Sequence, residues 1–231
     1  MKMKVLARRV VDTAMAAAMV VLMARGIMGD AAHEIVGIGA FGLFLAHHLL
    51  NTGWQRALFR KARFDEGSVV DCLLYAAMIG TAVSSVLVSK EAFAFAGIEG
   101  GLLARRLHAC VTAWCFILAS VHMGLHLNVA GYRSSLGAAA ARPGMRAWPR
   151  TAAVSAMAAY GAYCIFAHGL PERLVMYYAY SFWPSEKNWL LLVDMAAIMC
   201  FFACAAELST SLSRRDLKMN PRTLPVRSTK E

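Results

Sequence analysis

Apolar residues gather along this chain into six windows, divided by connections rich in charge, Gly or Pro. The windows run near Val5 to Arg25, His33 to Asn51, Val69 to Ser89, Leu107 to Asn128, Thr151 to His168 and Asn188 to Ser209. A helix needs roughly 20 consecutive, mostly apolar residues to cross the hydrocarbon core of a bilayer. Five windows meet that measure comfortably; the Ala-rich fifth is the weakest. The pattern predicts an all-α fold, a polytopic membrane helix bundle of about six transmembrane helices. It forms one membrane domain over residues 1–212, followed by a basic tail over residues 213–231. The longest connection, Ala130 to Arg150, holds Pro143 and Pro149, which interrupt any continuous helix there. Pro221 and Pro225 do the same in the tail.

Composition agrees with lipid as the solvent. The 231 residues are 59% hydrophobic and 16% charged, with a mean hydropathy of +0.51. A soluble domain with a charged surface would not show this balance. The net charge of +10 is no sign of nucleic-acid binding, because the basic residues sit between the apolar windows, where they report orientation. Lys2, Lys4, Arg8 and Arg9 precede the first window. Arg56, Arg60, Lys61 and Arg63 follow the second; Arg133, Arg142, Arg146 and Arg150 follow the fourth; Arg214, Arg215, Lys218, Arg222, Arg227 and Lys230 follow the sixth. With alternate crossings, eighteen of the 24 Lys and Arg fall on one side, leaving Arg25, Lys90, Arg105, Arg106, Arg173 and Lys187 on the other. The positive-inside rule then places both termini in the cytoplasm, in agreement with an even number of crossings. The basic start and long apolar stretch at the N-terminus read as a retained first helix rather than a cleaved signal. All six cysteines, Cys72, Cys110, Cys115, Cys164, Cys200 and Cys204, lie inside apolar windows, as small hydrophobes do. No Cys-x-x-Cys-His sequence provides for covalent haem attachment.

The histidines carry the candidate chemistry. His33 and His47 lie 14 positions apart in the second window, and His108 and His122 lie 14 apart in the fourth. Fourteen helical steps return a side chain to within about 40° of its starting face after a rise of about 21 Å. Each helix therefore offers two imidazoles on one face, one toward each side of the membrane. Two helices separated by a single intervening one run parallel, so His33 falls level with His108 and His47 with His122. Two levels of facing imidazoles are what a pair of bis-histidine haems requires. A dinuclear metal site or zinc would need the two levels much closer together. His48 lies about 100° from His47. His126 lies one turn beyond His122, where it can bond a haem propionate, line a quinone pocket or take the place of His122 as ligand. Whether His47 or His48, and His122 or His126, is the inner ligand stays open. His168, at the end of the fifth window, reads as interfacial.

The segment HEIVGIGAFGLFLAHHLLN followed by Trp54, and the segment RRLHACVTAWCFILASVHMGLH, resemble the two ligand helices of a family of small bacterial di-haem membrane cytochromes b, defined by a domain of unknown function. More distantly they resemble ferric-reductase-like membrane domains, the gamma subunits of formate dehydrogenases and the cytochrome b of the respiratory bc complex. The likeness covers roughly Val5 to Tyr132 and rests on the two equal histidine spacings. It implies haem-iron ligands His33, His47, His108 and His122, accompanied by Glu34, Gly37 and Asn51, in the bacterial cytoplasmic (inner) membrane.

Other residues support this expectation. Gly37, Gly39 and Gly42 lie between the two histidines of the second window and would either clear space for porphyrin edges or let helices pack closely. Arg25, Arg105 and Arg106 stand near the outer histidines, placed to pair with haem propionates or to anchor the interface. Asp12, Asp71, Asp194 and Glu207 are acids in or near apolar windows, costly unless paired. Asp194 suits either proton exchange or a structural hydrogen bond. Tyr177, Tyr178, Tyr180, Trp183 and Trp189 form an aromatic belt that a quinone could also use. No Rossmann, Walker, zinc-protease or iron–sulfur motif is present. The expected function is transmembrane electron transfer with two haem b groups, as the quinone-linked membrane subunit of an oxidoreductase using menaquinone or ubiquinone. The expected partner is a redox subunit: a flavoprotein, molybdoenzyme or multihaem cytochrome. The alternatives are a self-sufficient reductase of ferric iron or another small acceptor, and a haem-free transporter or sensor whose histidines handle protons or metal ions.

Overall fold

A computed structural model describes residues 2–53, 66–98, 100–126, 148–177 and 189–219. Among these the chain is all helical, without a strand. We number the α-helices α1 (Lys2–Met23), α2 (Asp30–Leu50), α3 (Glu66–Val88), α4 (Gly101–His126), α5 (Trp148–Ala167), α6 (Leu170–Leu174) and α7 (Leu190–Met219). Each of the six apolar windows folds as one long helix, and the short α6 is added after the fifth.

Four of these helices are long and apolar enough to cross a bilayer: α2, α3, α4 and the Leu190–Thr210 part of α7. The expectation of six crossings is met only this far. In α1 the charges of Lys4, Arg8, Arg9 and Asp12 dilute the apolar run, and in α5 that run is confined to Ala152–Ala167, short of the roughly 20 residues a crossing takes. α7 continues through Met219, past the boundary the sequence suggested at residue 212.

Helix ends follow local chemistry. Asp30 opens α2 with a negative charge where the helix dipole favours one, and it bonds Arg25 and, at 3.1 Å, Lys90. Asn51 closes α2: its backbone N–H reaches the carbonyls of His47 and His48, and its side chain donates to the His47 carbonyl at 2.9 Å. α5 ends where the His168 N–H bonds the Cys164 carbonyl; Gly169, at φ 59°, then turns the chain into α6. A side chain would strain that left-handed conformation, which glycine adopts freely. Burial on α6 lowers the Arg173 guanidinium to about 10, still protonated at neutral pH, and it donates to the His168 carbonyl at 3.2 Å.

The hydrophobic core lies where α4, α5, α6, α7 and the end of α1 meet, around Met23, Phe116, Cys164, Leu170, Leu191, Met195 and Ile198. Helices pack backbone to backbone in the pairs α1–α2, α3–α4, α4–α7 and α5–α7, whereas neither α2–α3 nor α2–α4 does so. What α3 buries is polar: Ser68, Asp71 and Ser84. α2 buries only Ala40 and Phe44. The α1–α2 pair meets the α3–α4 pair through α1 against α4 and through Phe44 and His48 of α2 against Tyr75 of α3.

Candidate functional site

Angular position on α2 sorts its side chains. Taking His33 as the reference and about 100° per residue, Gly37, Ala40, Phe44 and His47 all fall within about 40° of it. Gly39 lies about 120° away and Gly42 about 180° away. Of the three glycines, then, only Gly37 belongs to the histidine face. A Cβ there would meet Leu22 of α1 at 4.0 Å, while a Cβ at Gly39 or Gly42 would meet nothing within 4 Å. Gly39 and Gly42 make no close helix contact and sit on an open surface of α2, off the histidine face.

The four expected ligands fall into two groups, as their spacing requires. At one end of α2, His33 and His108 are electrostatic neighbours, with Arg25 beside both. His108 Nδ1 lies 3.0 Å from Ser84 Oγ. Ser84 Oγ also lies 3.0 Å from the Thr81 carbonyl; with its proton donated there, Ser84 accepts from His108 Nδ1–H. The His108 Nε2 lone pair is left available. His33 Nδ1 is buried and has no hydrogen-bond partner. Beside His33, Glu34 fixes the register of α2 against the end of α3. Its carboxylate accepts from the Ser89 hydroxyl at 2.6 Å and from the backbone N–H groups of Lys90, Glu91 and Ala92 at 2.8, 3.2 and 2.8 Å.

At the other end, His47 Nδ1 bonds Asp12 of α1 at 2.7 Å, and His122 Nδ1 bonds the buried Asp71 of α3 at 2.6 Å. An ionised carboxylate only accepts, so each imidazole donates from Nδ1 and again keeps Nε2 as a lone-pair donor. His48 Nδ1 donates to the Phe44 carbonyl at 2.9 Å, and the ring packs against Phe44 and Tyr75. It is an electrostatic neighbour of both His47 and His122, so the choice between His47 and His48 stays open. The His126 ring lies tilted against His122 with ring centroids 4.5 Å apart, and its Nε2 lies 3.9 Å from Asp71. Asp71, His122 and His126 together could hold a metal ion.

Metal-binding histidines characteristically have their other ring nitrogen held by a carboxylate, hydroxyl or carbonyl, which fixes tautomer and orientation. Three of the four expected ligands have such a partner. The sequence reading singled out Asp12 and Asp71 as acids needing partners but did not join them to His47 and His122, and it passed over Ser84. The register between helices, which pairs them, has no signature along the chain.

The three arginines separate. Arg25 lies at the His33–His108 level, already paired with Asp30. Arg105 lies about 60° from His108, but Arg106 lies about 160° away. Arg106 shares a stripe with Cys110 and Trp114, both of which donate to the Leu174 carbonyl; that stripe looks toward α6, not α2. Of the aromatic belt, Tyr177 and Trp189 are exposed, while Tyr178, Tyr180 and Trp183 lie outside the described residues, as does Trp54 after α2.

Away from these levels, Asp194 on α7 accepts from Tyr160 at 2.7 Å and lies 2.9 Å from His168 Nε2. His168, read from the sequence as interfacial, is also paired with this buried acid. Compared with protein-family models, with curated proteins and with solved structures, the chain gives no match in any of the three.

Proposed function

We propose that this chain holds two b-type haems, one between His33 and His108 and one between His47 and His122. It would carry electrons across the bacterial cytoplasmic (inner) membrane as the quinone-linked membrane subunit of an oxidoreductase. The observation that carries the reading is the polarity of the imidazoles. Asp12, Ser84 and Asp71 each hold an Nδ1, which leaves Nε2 of His47, His108 and His122 as the coordinating atom. The buried, unpartnered His33 Nδ1 and the absence of close packing between α2 and α4 fit a bulky group bound between them. Haem, when bound, supplies one-electron exchange at iron. The chain's own residues do the rest. Asp12, Asp71 and Ser84 fix ring orientation, Glu34 clamps α2 against the end of α3, and Arg25 supplies positive charge at the His33 level for a propionate. Use of menaquinone or ubiquinone, and a flavoprotein, molybdoenzyme or multihaem cytochrome as partner, extend this proposal.

A second reading rests on the same pairs. His47–Asp12 and His122–Asp71 are complete as proton-sharing pairs, the equipment of a transporter or sensor without haem. A reduced-minus-oxidised spectrum of the purified chain decides between them, with haem counted as the pyridine derivative. Two haem b per chain are expected, falling to one in His33→Ala or His108→Ala and to one in His122→Ala. Comparing His47→Ala with His48→Ala identifies the remaining inner ligand. No haem in the wild type, or two haems in all of these variants, overturns the proposal.

A further inference from the structure

Tyr160 and Cys164 of α5 and His168, the first residue after it, recur every four residues and so continue one helical face. Opposite them α7 brings Asp194. The ligand atoms of Cys164, His168 and Asp194 all lie within 4.8 Å of one another. Cys164 is 1% exposed and Asp194 8% exposed, while the His168 side chain keeps 20% of its surface. Cys164 and Asp194 are thus buried, while His168, at the turn into α6, and Tyr160 reach the surface. It shares no residue with the two histidine levels.

We propose that Cys164, His168 and Asp194 form a site for a single zinc-class divalent cation. Sulfur, imidazole nitrogen and carboxylate oxygen are the three donor types zinc takes, and three protein ligands leave a fourth position for water or an exogenous ligand. Bond lengths of roughly 2.0–2.3 Å put the donors of a tetrahedral zinc site about 3.3–3.8 Å apart, so the His168–Asp194 pair, at 2.9 Å, needs to open by about 0.4 Å and the Cys164 pairs to close by at most about 1.5 Å. Charge favours the assignment. A thiolate and a carboxylate neutralise a dication, and the neutral assembly suits an apolar surrounding in which either anion alone would be costly. Tyr160 donates to Asp194 Oδ1 and so holds the carboxylate with Oδ2 toward His168 Nε2, the outer-shell role that orients a metal ligand. On binding, the Cys164 thiol proton and the proton shared by His168 and Asp194 pass to solvent, and zinc–sulfur, zinc–nitrogen and zinc–oxygen bonds form. The bond from the His168 N–H to the Cys164 carbonyl fixes these two ligands relative to each other at the end of α5, which leaves the α5–α7 packing to set the third.

The test uses the full chain purified in lipid nanodiscs and loaded with zinc, with bound metal measured by mass spectrometry after chelator competition. One zinc per chain is expected. Affinity should fall at least 100-fold in Cys164→Ser and Asp194→Asn and about ten-fold in Tyr160→Phe, with no change in His33→Ala or Asp71→Asn. X-ray absorption on the wild type should show one sulfur neighbour at about 2.3 Å, a signature that needs no variant to fold. Zinc without a sulfur neighbour, zinc lost in Asp71→Asn and retained in Cys164→Ser, or no zinc at all overturns the assignment. Haem content is read separately and bears only on the electron-transfer proposal.

Discussion

α2 and α7 are both apolar helices long enough to cross a membrane, yet they are used in opposite ways. Within the most hydrophobic stretch of each, 56% of α7 is buried inside the protein and 11% of α2. α7 runs through the core, and two neighbours press glycines against its backbone. The Gly124 position of α4 meets the Ala203 carbonyl and the Gly161 position of α5 meets the Ala197 carbonyl. In lipid, where apolar side chains gain little by leaving one another, close approach through small residues is what joins helices. α2 has no such seam with α3 or α4. Its backbone seam is with α1, reinforced by Arg8 to the Leu50 carbonyl and Asp12 to His47, while Glu34 ties it to the 89–92 turn. The difference separates a scaffold from a helix that packs along α1 and meets α3 through polar contacts and the Phe44–Tyr75 ring pair.

The largest expected effect breaks the scaffold. A Cβ at Gly161 would lie 2.0 Å from the Ala197 oxygen, and one at Gly124 would lie 2.1 Å from the Ala203 oxygen. Both obstacles are backbone, so the helices themselves must separate. Gly161→Ala and Gly124→Ala should each cost at least about 1–3 kcal/mol, the range for overpacked cores. Thermal unfolding in nanodiscs should show a lower midpoint for both. An unchanged midpoint would mean that α4, α5 and α7 do not meet this closely.

The next effect sharpens the contrast from the α2 side. Asp71→Asn keeps shape and burial but replaces the ionised acceptor that orients His122. Loss of such an outer partner typically weakens metal binding 10–100-fold, about 1.4–2.8 kcal/mol. Haem retention under dilution should fall by that factor at one haem and not at the other, with the unfolding midpoint less affected than in Gly161→Ala. Equal loss of both haems would place Asp71 in the fold rather than at one ligand.

How far the sequence could be read depends on where each signal lives. Hydropathy is local, so the six helices, including the weak Ala152–Ala167 run, were visible in windows of about 20 residues. The matched spacing of His33 with His47 and of His108 with His122 is also local to each helix. What joins Asp12 to His47, Ser84 to His108 and Asp71 to His122 is register between helices, which no periodicity along one segment encodes. Cys164 and His168 were a readable i, i+4 pair, but Asp194 joins them only through the α5–α7 seam, itself set by Gly161. Gly39 and Gly42 misled for the opposite reason: lying between two histidines in sequence, they looked like part of the face, whereas helical angle carries them off it.

The smallest effect tests that angular assignment directly. Gly42 sits in a helix with nothing within 4 Å of a new Cβ and lies opposite His33. Alanine is the better helix former by up to about 1 kcal/mol in water, a preference that should shrink where surrounding lipid already enforces backbone hydrogen bonding. Gly42→Ala should therefore hold or slightly raise the unfolding midpoint and leave haem content at its wild-type value. Gly37→Leu, on the histidine face and 4.0 Å from Leu22, should lower haem content instead. If Gly42→Ala rather than Gly37→Leu cost the haem, α2 would have to be rotated by about half a turn from the orientation described, and Asp12 could no longer reach His47. The two glycines thus read the facing of α2 without touching a single ligand.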